Sequence, residues 1–147
     1  MITLRGTDCH GSGAYGASRG SRKHNGIDIT ENDGYLIAPN ASVIAYEAGK
    51  VAYLGWPYGP NDDKEGKYRL VEVTCGGYRL RYFYVGLLVE VGDDIERGQT
   101  IGWSQDLDCV YPGITQHVHF EVKNPEGKFI DPVAYLKDLG YEFKQVE

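Results

Sequence analysis

The chain contains several short runs of apolar residues, and in some of them apolar and polar residues alternate. This pattern favours strands over long helices. Glycine, proline, asparagine and aspartate separate the runs, which is typical of strands joined by tight turns. Twenty glycines and twelve tyrosines in 147 residues point the same way. We therefore predict an all-β fold. The runs lie at 27–29, 35–38, 42–45, 50–54, 68–73, 78–85 and 117–122.

One short helix is predicted near the C-terminus, over Val133 to Leu139. Asp131 is a suitable N-cap because its carboxylate can accept a hydrogen bond from an exposed amide of the first turn, and Pro132 suits that turn. The apolar share of 41% can build one compact core in a chain of this length. We expect a single domain over residues 1–147.

Two segments lack any periodicity and are predicted as loops. Residues 10–26 are rich in glycine and serine and read as an irregular loop, the kind of segment that often carries a site. Residues 56–67 are rich in proline, glycine and charge. This second loop is either a solvated hairpin tip or a segment that grips a partner.

Charge and hydropathy exclude several kinds of partner. The net charge is -6 and the isoelectric point is near 5.2, so the chain offers no positive field to a phosphate backbone, and we expect no nucleic-acid partner. No stretch approaches the roughly 20 apolar residues that span a bilayer. The first ten residues also lack the apolar core of a secretion signal.

Cys9, Cys75 and Cys109 lack the CxxC spacing of a zinc knuckle or redox site. Their odd number permits at most one internal disulfide. The sequence favours three thiols and leaves a bridge between Cys75 and Cys109 open.

The first candidate for chemistry is the pair His117 and His119 in the last clear strand. Side chains two apart in a strand point to the same face, so the two imidazoles share one surface while Val118 and Phe120 face the core. Such a pair can offer one metal ligand and one neighbouring base. A pair of satisfied polar histidines is the competing interpretation.

The second candidate is His24 with Asp28, four residues apart where loop becomes strand. The even spacing puts both on one face of extended chain, and Gly26 leaves room for the backbone to approach an ion. Alone, this spacing is a weak pattern. With the histidine pair it completes a plausible set for tetrahedral zinc, formed by His24, Asp28 and one histidine of the pair.

Three protein ligands would leave a fourth position on the metal. If that position is open, the ion can acidify a water and polarise a peptide carbonyl, as catalytic zinc does. If Cys9, His10 or another group fills it, the site is a closed structural one.

A longer series of motifs resembles the lysostaphin-type (LytM-like) zinc metallopeptidases. The likeness runs from about Gly13 to Leu136, in the family's order and spacing, and implies an antiparallel sandwich or barrel-like core. Arg19 also suits the family's Tyr/Phe-Gly-x-Arg element, with one extra residue. The motifs are HNGIDI at 24–29, Ala-Pro at 38–39, Gly-Lys-Val at 49–51, VGDDIERGQTIG at 91–102, HVHFEV at 117–122 and DPVAYL at 131–136.

The resemblance implies a role for each candidate residue. Zinc would be held by His24, Asp28 and His119, with His117 as general base beside the open position. The substrates implied are short peptide bridges of bacterial peptidoglycan, often containing glycine or D-amino acids. Since the chain as given contains no secretion signal, we expect it to reach the cell wall or another site outside the cytoplasm by lysis, or as part of a phage tail or secretion machine.

Tyr84 departs from the family pattern, which has a histidine in a Tyr-x-His-Leu element where this chain reads Tyr-Phe-Tyr-Val at 82–85. A neutral phenol can still donate one hydrogen bond to an oxyanion. The same departure, with HGSGAY at 10–15 and VYPGITQHVH at 110–119, resembles leukocyte cell-derived chemotaxin, a secreted relative that keeps the zinc without peptidase activity. The cysteine pattern differs from that relative, which favours a bacterial or phage origin.

Three functions are therefore open. The first is a zinc endopeptidase of peptidoglycan, in which His117 moves the proton and Tyr84 helps hold the oxyanion; the retained ligands favour it. The second is a zinc-containing module that holds a peptide or glycan without cutting it, and Tyr84 favours that one. The third, a metal-free carbohydrate-binding β-barrel with sugar-stacking tyrosines, is opposed by the combined histidine and aspartate motifs.

Overall fold

A computed structural model describes residues 1–6, 8, 10–19 and 22–144, and this part of the chain contains fifteen strands and one helix. The all-β prediction is confirmed. The elements are β1 (Ile2–Leu4), β2 (Ser18–Arg19), β3 (Arg22–Lys23), β4 (Ile27–Asn32), β5 (Tyr35–Leu36), β6 (Ser42–Ile44), β7 (Gly49–Gly55), β8 (Leu70–Cys75), β9 (Tyr78–Phe83), β10 (Val85–Leu87), β11 (Asp94–Ile95), β12 (Thr100–Ser104), β13 (Val118–Lys123), β14 (Phe129–Ile130), α1 (Pro132–Asp138) and β15 (Phe143–Lys144).

Within the described residues, the largest sheet has ten strands and follows the order β11-β7-β8-β9-β13-β4-β1-β15, with β14 paired to β13 and β5 paired to β4. Its pairs are antiparallel except β1 with β15. A smaller sheet has the order β10-β12-β6, and β2 pairs with β3 as a hairpin. The central strands β9, β13 and β4 carry the candidate site.

The central strands β4 and β13 bury apolar side chains on one face and polar side chains on the other. Ile27 and Ile29 of β4 and Val118 and Phe120 of β13 belong to the main apolar core. The intervening residues point to the other face, because side chains alternate along a strand. The register sets His119 opposite Asp28 on one side and opposite Phe83 on the other. The polar face of these strands therefore collects the residues that the sequence selected for metal binding.

The prediction of one strand over residues 78–85 is wrong at its end. Tyr84 has a φ of 68° and separates β9 from β10. A tyrosine in the left-handed region cannot continue a strand, so the chain changes sheets at this residue. The turn places the Tyr84 ring beside the candidate site.

The prediction of an irregular loop over residues 10–26 is also wrong in part, because β2 and β3 lie within it. Strands β1 and β15 were not predicted either. Elements of two or three residues are too short to display a period, so their pairing partners decide their conformation.

The C-terminal helix is confirmed with bounds one residue earlier at each end, Pro132–Asp138. The side chain of Asp131 accepts a hydrogen bond from the amide of Val133 at 2.9 Å, as expected of an N-cap. Pro132 and Leu136 are the buried residues of the helix. The helix thus covers one edge of the core next to β13.

Two of the three cysteines fall in the described part of the chain, and both are unbridged thiols. Cys75 is buried and Cys109 is exposed, so the open alternative of a bridge between them is wrong. Cys9 lies outside the described residues.

Across the described residues, no helix is both long and apolar enough to cross a bilayer.

Replacing Asp131 with alanine should lower the free energy of unfolding by about 1 kcal/mol, because the amide of Val133 loses its acceptor. The matched control is Asp138→Ala at the other end of the helix. Removing a negative charge there relieves the helix dipole and should change stability by no more than about 0.5 kcal/mol. Urea unfolding measures both, and equal losses would contradict the capping role.

Candidate metal centre

Three side chains meet on the polar face of the central strands. His24 lies in the loop before β4, Asp28 lies in β4, and His119 lies in β13. All three are buried, and one nitrogen or oxygen atom from each lies within 4.8 Å of the others. The two fragments that the sequence singled out are thus brought together across 95 residues of chain.

The facing atoms of this cluster are close. Nε2 of His24 is 2.9 Å from Nδ1 of His119. Oδ1 of Asp28 is 3.0 Å from that Nδ1 and 3.2 Å from Nε2 of His24. Two ring nitrogens and one carboxylate oxygen therefore surround a single small space.

The outward nitrogens of both rings are held by acceptors. Nδ1 of His24 donates to the carbonyl of Ala14 at 3.0 Å, and Nε2 of His119 donates to Oε1 of Glu121 at 2.8 Å. These bonds fix the ring orientations and aim the opposite nitrogens at each other. Two imidazole lone pairs and a carboxylate cannot face one another at 3 Å without a positive charge between them. The donor set fits zinc, which prefers nitrogen and carboxylate ligands of this kind.

In the metal-free protein a proton on His119 supplies the positive charge. Burial acts to lower the pKa of His119, but hydrogen bonds and charge attraction from Asp28 and Glu121 outweigh it and raise the pKa to about 9. Burial likewise opposes ionisation of Asp28, yet the neighbouring histidines hold the pKa of its carboxyl well below the usual value. The carboxylate is thus ionised and ready to bind a cation at neutral pH.

His117 lies just before β13 and close to the cluster without belonging to it. Its Nδ1 donates to the carbonyl of Thr115 at 2.7 Å, so its Nε2 presents a lone pair. That Nε2 lies 3.6 Å from Oδ2 of Asp28. Burial lowers the pKa of His117, and the ring is therefore neutral at pH 7 and able to accept a proton.

Tyr84 reaches the same site from the turn between β9 and β10. Its ring meets that of His117 edge to face, with 5.7 Å between the centroids, and its hydroxyl oxygen is 2.6 Å from that of Tyr58. Burial raises the pKa of Tyr84 far above 10. The side chain is a neutral phenol with one proton to donate.

A cavity of about 460 Å³ opens over these residues. Tyr58 and Glu65 line it from the 56–67 loop, so this segment is more than a solvated hairpin tip. Tyr111 lines it as well and donates a hydrogen bond to Glu65. Sequence reasoning missed these wall residues, since a loop has no periodicity that assigns side chains to a surface.

His10 does not complete a closed metal site. It lines the cavity, but its Nε2 is 3.0 Å from the carbonyl of Pro112, and it is not among the clustered candidate ligands of the described chain. The other suggested fourth ligand, Cys9, lies outside the described residues. Arg19, which the resemblance singled out, lines the cavity and donates to the carbonyl of Ser12 at 2.7 Å.

Two charged residues that contact the candidate ligands were also missed. Glu121, which accepts from His119, lies two residues along the same strand and could have been found from the alternation of β13. Arg5 contacts Asp28 with its Nε at 3.0 Å from Oδ2. No local pattern distinguishes Arg5 from any other arginine near a chain end.

The site has the composition of a mononuclear metal centre with two imidazoles and one carboxylate, beside a histidine that can take a proton, on an antiparallel sheet. A family model described as peptidase family M23 matches residues 22–132. The match covers well over half of the chain, and the protein therefore belongs to peptidase family M23.

Its relatives include a bacterial protein named as an endopeptidase and a vertebrate protein. Leukocyte cell-derived chemotaxin-2 of Bos taurus is 32% identical over 133 residues, which are 90% of this chain and 79% of the relative. Glycyl-glycine endopeptidase ALE-1 of Staphylococcus capitis is 30% identical over 137 residues, which are 90% of this chain and 34% of the relative. The chain thus spans about a third of that endopeptidase.

A solved structure of the antimicrobial peptidase lysostaphin from Staphylococcus simulans has the same fold, with a TM-score of 0.62 and 26% identity. The likeness covers 87% of this chain and 49% of that chain, so this chain spans about half of it. The resemblance to lysostaphin-type peptidases and the fold class expected from it are confirmed.

The stability of the metal-free protein should fall as the pH rises from about 6.5 to about 9. The pKa of His119 is higher in the folded state than in the unfolded state, so its contribution is complete below about 6.5 and is lost as the pH passes about 9. The loss should reach up to about 3 kcal/mol. Urea unfolding in a chelator at both pH values measures it.

Glu121→Gln should reduce this pH dependence, since it removes one of the two carboxylates that hold the proton on His119. Glu126→Gln, in an exposed turn after β13, is the matched control and should behave as wild type. A dependence that is the same in all three proteins would contradict the assignment to His119.

Proposed function

We propose that the protein is a zinc metalloendopeptidase that hydrolyses peptide cross-links of bacterial peptidoglycan. The observation that carries the proposal is the convergence of His24, Asp28 and His119 beside His117, whose free Nε2 lies 3.6 Å from Oδ2 of Asp28 in the same cavity. Membership of peptidase family M23 supports the reaction class. The relatives named as peptidases support the kind of substrate.

Zinc would be held by Nε2 of His24, Oδ1 of Asp28 and Nδ1 of His119. A zinc ion there would act as a Lewis acid toward a peptide carbonyl and would acidify a nearby water. The outer hydrogen bonds to Ala14 and Glu121 hold the two rings in the orientation that this requires.

His117 serves as the general base in this proposal. Its Nδ1 proton is fixed on the Thr115 carbonyl, and its pKa is below the usual value because it is buried. Nε2 can therefore take a proton from the attacking water and return it to the leaving amine. The ring stays in place during both transfers, since the bond to Thr115 does not break.

Tyr84 serves as the donor that stabilises the oxyanion. It stands where the resemblance places a histidine, and its phenol is protonated at neutral pH. Donation to substrate requires the hydroxyl of Tyr58 to donate to Tyr84, so that the Tyr84 proton is available. Such a donor is worth about 10²–10³ in rate.

The substrate we propose is an extended peptide with small residues, such as a glycine bridge. One relative is named a glycyl-glycine endopeptidase, and the buried position of the metal ligands suits a backbone without bulky side chains. With such a substrate, the protein would act at the cell wall or elsewhere outside the cytoplasm. It could do so as part of a phage tail or of a secretion machine.

A second candidate is a zinc-containing module of the chemotaxin type, which holds a peptide or glycan without cutting it. If the Tyr84 hydroxyl donates to Tyr58, its proton is not available to an oxyanion, and this direction of the hydrogen bond favours the binding module. The identity of 32% with a chemotaxin over most of both chains favours it too.

His117→Ala should slow the release of peptides from purified peptidoglycan by at least about 10²-fold, because the general base is lost. The variant should still bind one zinc ion. His10→Ala is the matched control, since it removes a histidine of the same cavity that lies outside the ligand cluster. Metal analysis and chromatography of the released peptides measure both quantities. A wild type that binds zinc and releases nothing would favour the binding module, and one that binds no zinc would exclude both.

Tyr84→Phe should lower kcat on a glycine peptide by about 10²–10³, because the ring remains and only the donated proton is lost. Tyr84→His restores the residue of the family element and should keep or raise the rate; histidine tolerates a positive φ better than most residues. A Tyr84→Phe variant as fast as wild type would show that the hydroxyl plays no part in catalysis.

A further inference from the structure

Two charged residues of the N-terminal segment, outside the region matched by the family model, contact Asp28 and the segment that precedes His117. They are Arg5 and Asp8, and their side chains form an ion pair with 2.7 Å between Nη1 and Oδ1. We propose that this pair is a positioning device that fixes the orientation of the ligand Asp28 and of the base His117. The inference rests on the zinc centre of the proposed function.

One end of the Arg5 guanidinium holds the carboxylate of Asp28. Nε and Nη2 both lie 3.0 Å from Oδ2, and the Arg5 side chain is 2% exposed. This two-point contact is charge-assisted and fixes the position of Oδ2. With Oδ2 engaged, Oδ1 is the oxygen that faces His24 and His119.

The other end of the guanidinium is connected to His117 through hydrogen bonds of Asp8 and Thr115. Nη1 donates to Asp8 and to the carbonyl of Gly11. Oδ2 of Asp8 accepts a hydrogen bond from the amide of Thr115 at 3.0 Å, and the carbonyl of Thr115 accepts from Nδ1 of His117 at 2.7 Å. Asp8 thus holds the backbone of Thr115, the residue whose carbonyl orients the base.

The backbone holds Arg5 in place independently of its side chain. The amide of Arg5 donates to the carbonyl of Asp28 at 2.7 Å, and the amide of Asp28 donates to the carbonyl of Gly13 at 2.9 Å. A β-carbon on Gly13 would lie 2.7 Å from that of Arg5, so the two segments are in close contact. Removing the guanidinium should therefore change the site more than the path of the chain.

Whether removal of Arg5 strengthens or weakens zinc binding distinguishes a positioning role from a purely electrostatic one. Arg5 places a positive charge beside a ligand of a cation, and on charge alone its removal would make zinc bind more tightly. Loss of the fixed carboxylate acts in the opposite direction, and outer-shell contacts of metal ligands typically contribute 10–100-fold in affinity. If Arg5 positions Asp28, its removal weakens zinc binding.

Competition with a chelator on the full chain tests this. Arg5→Met should weaken zinc binding by about 10–100-fold and alter the visible absorption of the cobalt-loaded protein, which reports ligand geometry. Arg5→Lys keeps the charge without the two-point contact and should also weaken binding. Arg97→Met is the matched control at an arginine that contacts Leu139 and Tyr141 away from the site. Circular dichroism checks that each variant is folded.

Asp8→Asn tests the contact from Asp8 through Thr115 to His117. It should leave zinc bound and slow peptide release from peptidoglycan, because the amide of Thr115 loses its charged acceptor. Folded Arg5 variants that bind zinc as tightly as wild type or more tightly, or an Asp8→Asn variant with unchanged release, would overturn the positioning role. A wild type that binds no zinc would instead overturn the proposed function.

Discussion

The antiparallel pairing of β4 with β13 is the constraint on which the site depends. Its register sets Asp28 directly opposite His119, and a shift by one residue would turn one of them into the apolar core. The buried partners Ile27, Ile29 and Phe120 hold the register, because each has its place on the core face. Hydrophobic packing on one side of the sheet thus determines the geometry of the polar cluster on the other.

Burial of so many ionisable groups is tolerated because each has a partner. Desolvation of an unpaired charge costs several kcal/mol, and a pair recovers this only with good geometry. His119 is paired with Glu121, which lies 3.2 Å from Arg81 of the neighbouring strand, and Arg81 is 3.3 Å from Glu72 of the next. Glu121, Arg81 and Glu72 lie directly opposite one another on β13, β9 and β8, so their ion pairs follow from the strand pairing.

The sequence was informative wherever the chemistry obeys a local rule. Alternation in β13 predicted the shared face of His117 and His119, and the spacing of His24 and Asp28 predicted the second half of the site. The N-cap at Asp131 followed from residue type. These inferences need only the geometry of a single strand or helix turn.

The parts that the sequence did not predict depend on long-range packing. Arg5 lies near the candidate ligands because β1 pairs with β4, and no local pattern in a three-residue strand predicts that pairing. Tyr84 was expected within a strand, whereas its positive φ follows from the change of sheets between β9 and β10. Tyr58 and Glu65 reach the cavity from a loop whose course is set by its contacts.

The direction of the hydrogen bond between the hydroxyls of Tyr84 and Tyr58 bears on the choice between the proposed enzyme and the proposed binding module, whereas both proposals require the metal centre. A crystal of the zinc-soaked protein, with anomalous diffraction collected at the zinc absorption edge, tests that centre most directly. We expect one strong anomalous peak bounded by Nε2 of His24, Oδ1 of Asp28 and Nδ1 of His119. A zinc-soaked crystal with no peak among these atoms, or with its main peak at other residues, would contradict it.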